Sequence, residues 1–420
     1  MGAEICEPAK VQATQLKEDT GPSWSDIGPF FGASISILGF LLLTATDNVS
    51  LAIWFGFVVV PIQDKLLRED KANVAPTKIK SYEKDWRFTI PLLTAFILDF
   101  AGLFFILAGL YRGTIGVTVG DFVVMLLASS LLGASNNSVG HELYHRRNRI
   151  LKFLGLISHM KFLCGHIPIY HNEQHHKYTG IEGKDPGFPA RGVSSIQKFE
   201  FFAFGSFMKT YQFEDSRLKK RGLARLIDRT LANRVLRIRA AEIAYVLGIY
   251  IFLGWKPALF QVLYCQLNIS ILSTTNYVEH YGLYRKVLNA DKPNEKKIYE
   301  PQGRHHSWDS NAAQSNKLLF NVQRHSDHHM FVYKPYQILE AFEETPTLPF
   351  GYSAAITIAW CPPVWRMVVD PMLDAMEKGE KLTQEQVKQQ TRIVDMYFYS
   401  LWTVLTLIQF FVLGINIPQF

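Results

Sequence analysis

Cysteine is scarce in this chain. Its 420 residues include only Cys6, Cys164, Cys265 and Cys361. No C-x-x-C spacing occurs, which excludes a disulfide framework and a built-in iron–sulfur or rubredoxin-type centre, and points to a reducing compartment. The first 26 residues lack a basic stretch leading into an apolar one, so no cleavable signal peptide is expected. Internal repeats of the transporter kind and low-complexity tracts are also missing. No basic-aromatic module marks the chain for nucleic acid, so its net charge of +7 requires another origin.

What the chain has in quantity is apolar surface. Hydrophobic residues make up 48 % and aromatics 13 %, and mean hydropathy is close to zero. That average mixes greasy segments with a polar, basic remainder, as expected of a protein partly solvated by lipid. Apolar runs long enough to cross a hydrocarbon core, roughly 17–25 residues as helix, recur in pairs. Helices are expected at about 29–45 and 49–63, 88–110 and 114–134, and 240–255 and 258–277, the last two joined at Lys256-Pro257. A further run, 396–414, is a candidate seventh span. The fold class expected is therefore an all-α membrane protein of three helical hairpins plus a C-terminal seventh helix. Polar residues 1–28 precede this unit, and 372–420 form a C-terminal extension around the run 396–414.

Three hairpins return segments 64–87, 135–239 and 278–395 to the face of the N-terminus. Among 44 Lys and Arg, only Arg112 and Lys256 are expected on the other face. By the positive-inside tendency the basic face is cytosolic, and the charge reads as topology and attraction to anionic lipid. The stretch 286–297, polar and turn-rich, reads as a solvated loop.

Histidine carries the chemistry. Of 13 histidines, nine fall into four groups on this cytosolic face: HELYH (His141, His145), HNEQHH (His171, His175, His176), NYVEHYGL (His280) and HSDHH (His325, His328, His329). On a helix, positions i and i+4 share a face, so His141 pairs with His145 and His171 with His175. His325 pairs with His328 or His329. Imidazole suits iron, copper, zinc or nickel rather than magnesium or calcium. Nine imidazoles exceed one ion's needs, and two ions with four or five ligands each is the natural count. HELYH also matches the zinc-protease H-E-x-x-H with Glu142 as base, but that leaves seven grouped histidines without a role. A metal transporter would hold its ligands near the bilayer midplane, whereas these lie beyond the helix ends. Redox-active metal beside membrane helices points to oxygen chemistry on a lipidic substrate, with the apolar helices supplying a slot for it.

The ordered motifs HELYHRR, HNEQHH, NYVEHYGL, and HHSWDSN followed by QRHSDHH resemble the integral-membrane alkane 1-monooxygenases (alkane hydroxylases) and their xylene-monooxygenase relatives, over about residues 29–371 ending in VVDP. This resemblance implies two non-haem iron ions, hydroxylation of a terminal methyl with O₂, and electrons from a rubredoxin or ferredoxin-type carrier. It also implies that His141, His145, His171, His175, His176, His280, His325, His328 and His329 are the metal ligands. The related membrane fatty acid desaturases are the alternative, and NYVEHYGL favours hydroxylation over them. The second motif departs from the family's E-H-x-x-G-H-H, with Tyr170 for the Glu and Gln174 for the Gly, and the run 396–414 is not typical of the family.

Carboxylates that orient metal-bound imidazoles through the other ring nitrogen are expected at Glu142, Asp185, Glu279 and Asp327. His166 and the pair His305-His306 are read as structural and His159 as a non-ligand. Asp99, Asp121 and Glu242 stand in or near apolar segments, where charge is costly.

Overall fold

The computed structural model describes residues 21–292 and 294–416. Most of the polar N-terminal segment, with Cys6, lies outside them. Described residues form helices with no strand beyond two isolated bridges. Four helices are long and apolar enough to cross a membrane: Trp24–Ala45 (α1), Trp86–Arg112 (α3), Val119–His145 (α4) and Gln384–Leu413 (α13).

The remaining expected spans also form helices, but shorter or more polar ones. The first, α2, joins Ser50–Trp54 and Val60–Leu66 through a π-helical Phe55–Val59. Arg234–Leu253 (α8) opens on three arginines, Arg234, Arg237 and Arg239. Trp255–His280 (α9) buries Gln261, Asn268, Ser273, Thr274 and Asn276 against its neighbours, so its inner face is polar and its average apolarity falls. The α8–α9 turn comes at Gly254 (φ 83°) rather than at Lys256-Pro257, because Gly tolerates the positive φ while Pro257 fits the first turn of α9.

Two helices overrun their apolar runs. Helix α4, expected to end near residue 134, continues to His145 and so carries HELYH on the same rod. Helix α9 continues to His280 in the same way. Arg149–Met160 (α5) folds back on α4 with almost no gap. A Cβ at Gly155 would lie 2.6 Å from the Tyr144 backbone nitrogen, so only glycine permits that approach.

Polar residues near the apolar helices are paired. Asp99 bonds the buried Lys161, Asp121 caps α4 with Thr118, and Glu242 pairs with Arg239 at 2.8 Å and accepts from the Gly165 N–H. Opposite ends of the bundle are also tied. Lys256 donates to the Gly116 carbonyl across two hairpin turns. Helix α13 runs antiparallel along α2, held by Lys65 and Asp395 at one end, by Trp54 Nε1 to Thr406 Oγ1 at 3.0 Å midway, and by reciprocal amide bonds between Asn48 and Asn416 at the other.

The remaining elements used below are the segment Ile167–Tyr170, His171–His175 and His176–Tyr178 (α6), Ser195–Lys220 (α7), His325–Met330 (α10), Tyr352–Ala359 (α11) and Pro362–Glu377 (α12). They cover the ends of α4 and α9, and a buried cluster around Tyr277, Tyr281, Trp308 and Trp365 locks α9 to α11 and α12.

Candidate metal centre

The nine histidines converge. His141, His145, His171 and His328 bring one nitrogen each within 4.8 Å of one another, and His175, His280, His325 and His329 do the same. The ninth, His176, stands between the two sets, with Nε2 2.9 Å from His171 Nε2 and its ring centre 4.5 Å from that of His329.

The partition follows backbone geometry. HELYH behaves as the α-helical rule requires, with His141 and His145 in one set. HNEQHH does not, because residues His171–His175 form a π-turn. There the i+5 neighbour shares a face, so His171 approaches His176, and His175 is rotated into the other set. HSDHH is also split: His325 keeps His329, its i+4 neighbour, at 3.0 Å between Nε2 atoms, while His328 faces the first set.

The donor chemistry fits metal ions. His175 Nδ1 donates to Asp185 Oδ2 at 2.7 Å and His280 Nδ1 to the His306 carbonyl at 3.1 Å. Each ring therefore turns an unprotonated Nε2 inward. His175 Nε2 and His328 Nε2 are buried with no hydrogen-bond partner, a costly state for a polar atom. Several Nε2 atoms face one another at 2.8–3.2 Å, a convergence that either a ring proton or a cation among them satisfies. Burial, reinforced by neighbouring imidazoles, holds His171, His176, His325 and His329 well below the usual histidine range. Burial, with His175 nearby, pushes His328 down to about 3. All five are neutral at physiological pH, as ligands must be.

The four carboxylates have different partners. Asp185 also accepts from Tyr170 Oη and from the Gly187 N–H at 2.8 Å. The Tyr170 hydroxyl fills the space where a Cβ at Gly187 would fall. Glu279 lies 3.5 Å from His325 Nε2. Glu142 instead pairs with Arg146 at 2.9 Å and accepts from the Tyr336 N–H. Asp327 pairs with Lys334 at 2.6 Å and accepts from the Glu340 N–H. These two tie helix ends to the segment 334–340, and neither shows a contact with a histidine.

One further acid escaped the sequence. Asp309 accepts both the N–H and Oγ–H of Ser326 at 2.7 Å, holding the start of α10, and burial pushes it up to about 7. His159 bonds the Gly155 carbonyl and His166 the Ser206 hydroxyl, and neither joins a set.

Glu300, His305 and His306 also gather three donors. His306 Nδ1, however, accepts from the Gly303 N–H at 2.8 Å, so Nε2 carries the proton and donates to Glu300 at 3.1 Å. That ring is already committed.

Beneath the first set opens a cavity of about 560 Å³. His141, His145, His171, His325 and Glu279 form its head, and its walls are apolar residues of α1, α2, α4, α9 and α11, among them Phe40, Leu43, Leu131 and Ile356.

Known proteins are similar to this chain over most of its length. The fatty acid desaturase family pattern matches residues 116–356. Alkane 1-monooxygenase 2 of Pseudomonas aeruginosa is 31 % identical over 77 % of this chain and 84 % of its own length. Alkane 1-monooxygenase 1 of Alcanivorax borkumensis is 30 % identical over 82 % and 83 %, and alkane 1-monooxygenase of Pseudomonas putida 29 % over 81 % of each.

The chain belongs to the alkane 1-monooxygenase family. As a family member it is an oxidoreductase, and its histidine groups and apolar helices are those of a membrane monooxygenase within the desaturase family. Tyr170 and Gln174, which depart from the family's second motif, are both buried. Tyr170 bonds Asp185, and Gln174 bonds Thr210 of α7 at 3.3 Å.

Proposed function

We propose that this protein inserts one atom of O₂ into a terminal C–H bond of an alkane or alkyl chain, at a centre of two non-haem iron ions held by the nine histidines. The overall balance is RH + O₂ + 2 e⁻ + 2 H⁺ → ROH + H₂O, with both electrons from an external rubredoxin or ferredoxin-type carrier. The observation that carries this reading is the cavity, an apolar slot whose one polar end is the histidine cluster. Bound iron would supply the O₂ activation and electron storage that attack on an inert C–H bond requires.

The chain's own residues do the rest. The walls bind the alkyl chain by removing apolar surface from water, about 0.8 kcal/mol per buried CH₂, and point its end toward His141 and His171. A slot of this kind also keeps bulk water from the reacting carbon. Asp185 and the His306 carbonyl hold the Nδ1 protons of His175 and His280, which fixes both rings with Nε2 inward. Glu279 is the buried carboxyl in this reading that borders both the slot and His325, a place from which to hold a proton beside the reacting atoms.

The catalytic unit on this reading is 29–371, with six helices in three hairpins and α13 as a seventh span. The ties that follow α2 from Lys65–Asp395 through Trp54–Thr406 to Asn48–Asn416 support the spanning role of α13. The bias of Lys and Arg to one side supports a cytosolic histidine face.

Membranes containing the protein, incubated with ¹⁸O₂, a reducing system, and a panel of alkanes and acyl lipids, test the reaction. Labelled primary alcohol is the expected product. Unlabelled alkene without labelled alcohol would establish the desaturase alternative that the match over 116–356 suggests.

A further inference from the structure

We infer that electrons enter this protein at His305, through a docking surface of basic residues around it built to receive a small acidic one-electron carrier. The inference rests on the diiron reading above and names the place on the chain where its external reductant must act.

Transfer of an electron through protein falls steeply with distance, so the carrier is best served where the cover over the metal ligands is thinnest. Three rings of the second histidine set show what stands behind them. His175 backs onto Asp185 and His329 onto Thr179, and both partners are buried. His280 backs onto the carbonyl of His306. The ring of His306 is fully buried, yet its neighbour His305 packs against it with ring centres 4.0 Å apart and a side chain 57 % exposed. One ring contact, one residue of backbone and one hydrogen bond thus connect solvent to a proposed ligand.

The connection is held rigid. Glu300 accepts from His306 Nε2 at 3.1 Å and from the Lys286 N–H at 2.7 Å, and Arg285 donates to the Glu300 carbonyl. Gly303 lets the imidazole of His305 fold over the loop, since a Cβ there would meet that ring at 2.7 Å. Both the fixed ring and the glycine are features an ordinary solvated loop does not need.

The surroundings match an acidic partner. Arg285 bonds the Lys177 carbonyl, which brings Lys177, Arg285 and Lys286 together, and Lys184 lies over the Tyr299 ring at 4.6 Å. Of the nearby acids, Glu300 is occupied as described, Glu344 is paired with Arg304 and Glu295 with Lys292, which leaves exposed Glu182 and Asp291 against the cations. Leu288 and Ile298, 61 % and 56 % exposed, are joined by a backbone hydrogen bond. They give the basic surface an apolar centre of the kind that transient redox interfaces combine with charge. Each visit oxidises the carrier by one electron. Two visits supply the pair that, with two protons, reduces the second oxygen atom to water.

The test uses the full-length iron-loaded protein in detergent and an acidic rubredoxin as probe. Binding is measured by calorimetry, and carrier oxidation by anaerobic stopped-flow. The double charge reversal Lys177→Glu with Lys286→Glu is expected to raise the carrier Kd about tenfold at low ionic strength and to flatten its salt dependence. Lys388→Glu, on α13, is expected to leave it unchanged. His305→Ala is expected to slow carrier oxidation at saturation about tenfold, with Kd and iron content within twofold of the parent. An unchanged Kd in the double reversal, or an unchanged oxidation rate in His305→Ala, overturns the assignment. Reduction by dithionite separates the two levels. Iron reduced normally by dithionite while both carrier results fail rejects only this site, whereas iron that dithionite cannot reduce removes the diiron reading and this inference together.

Discussion

The two histidine sets are alike in number and differ in what lies behind them. The first opens on the apolar cavity, and its members His141 and His171 are partly accessible from it. The second is buried, and three of its members, His175, His329 and His280, are braced by Asp185, Thr179 and the His306 carbonyl, while His325 alone of them reaches the head of the cavity. Open donors suit the approach of substrate and O₂, and braced donors suit a site that must keep its geometry while its partner reacts. On the proposed reading, the same residue type is thus set to two tasks by its surroundings.

That contrast can be broken most severely at the braced set. His280→Ala is expected to lower iron content from about two ions per chain toward one and to reduce turnover at least a thousandfold, because an open coordination position replaces a fixed one. Iron analysis with Mössbauer spectra reads this directly, and retention of full iron and activity would remove His280 from the ligands. Asp185→Asn is next. Loss of the carboxylate behind His175 is expected to cost about 10–100-fold in iron affinity or activity, seen as faster iron loss to a chelator. Tyr170→Phe removes one of the hydrogen bonds that hold Asp185, and about a tenfold faster iron loss is expected, since a charged acceptor loses about 1.5–3 kcal/mol of hydrogen bonding. A substitution on the open side sharpens the contrast instead. Gly39 lines the cavity and a Cβ there meets nothing within 4 Å, so Gly39→Phe is expected to shift the kcat/KM preference toward shorter alkanes by about tenfold while iron content stays at the parent level.

Much of this layout was legible along the chain. Apolar runs mark where seven helices form, and HELYH gives its pairing correctly because α4 remains a regular helix through it. HNEQHH misleads because a π-turn is a local choice of hydrogen bonding that no residue type in it announces. The carboxylates were half legible. An acid beside a histidine in sequence points away from it on a helix, which is why Glu142 and Asp327 bond elsewhere. Asp185 reaches His175 across ten residues through a turn set by Gly187 and Tyr170. The His306 carbonyl leaves no trace in sequence, since any residue carries one. Polar residues on the buried face of α9 lowered its apolarity without moving the helix, so composition understated how much of it is enclosed.

The π-turn at His171–His175 also bears on how such a centre can arise. It holds one residue more than the α-turn it replaces, and that residue is what sends His171 and His175, four apart in sequence, to different sets. A single-residue insertion in a regular helix that already carried histidines at i and i+4 would be enough to divide their loyalties. On the diiron reading, one added residue would thus redistribute donors between two sites while keeping every imidazole.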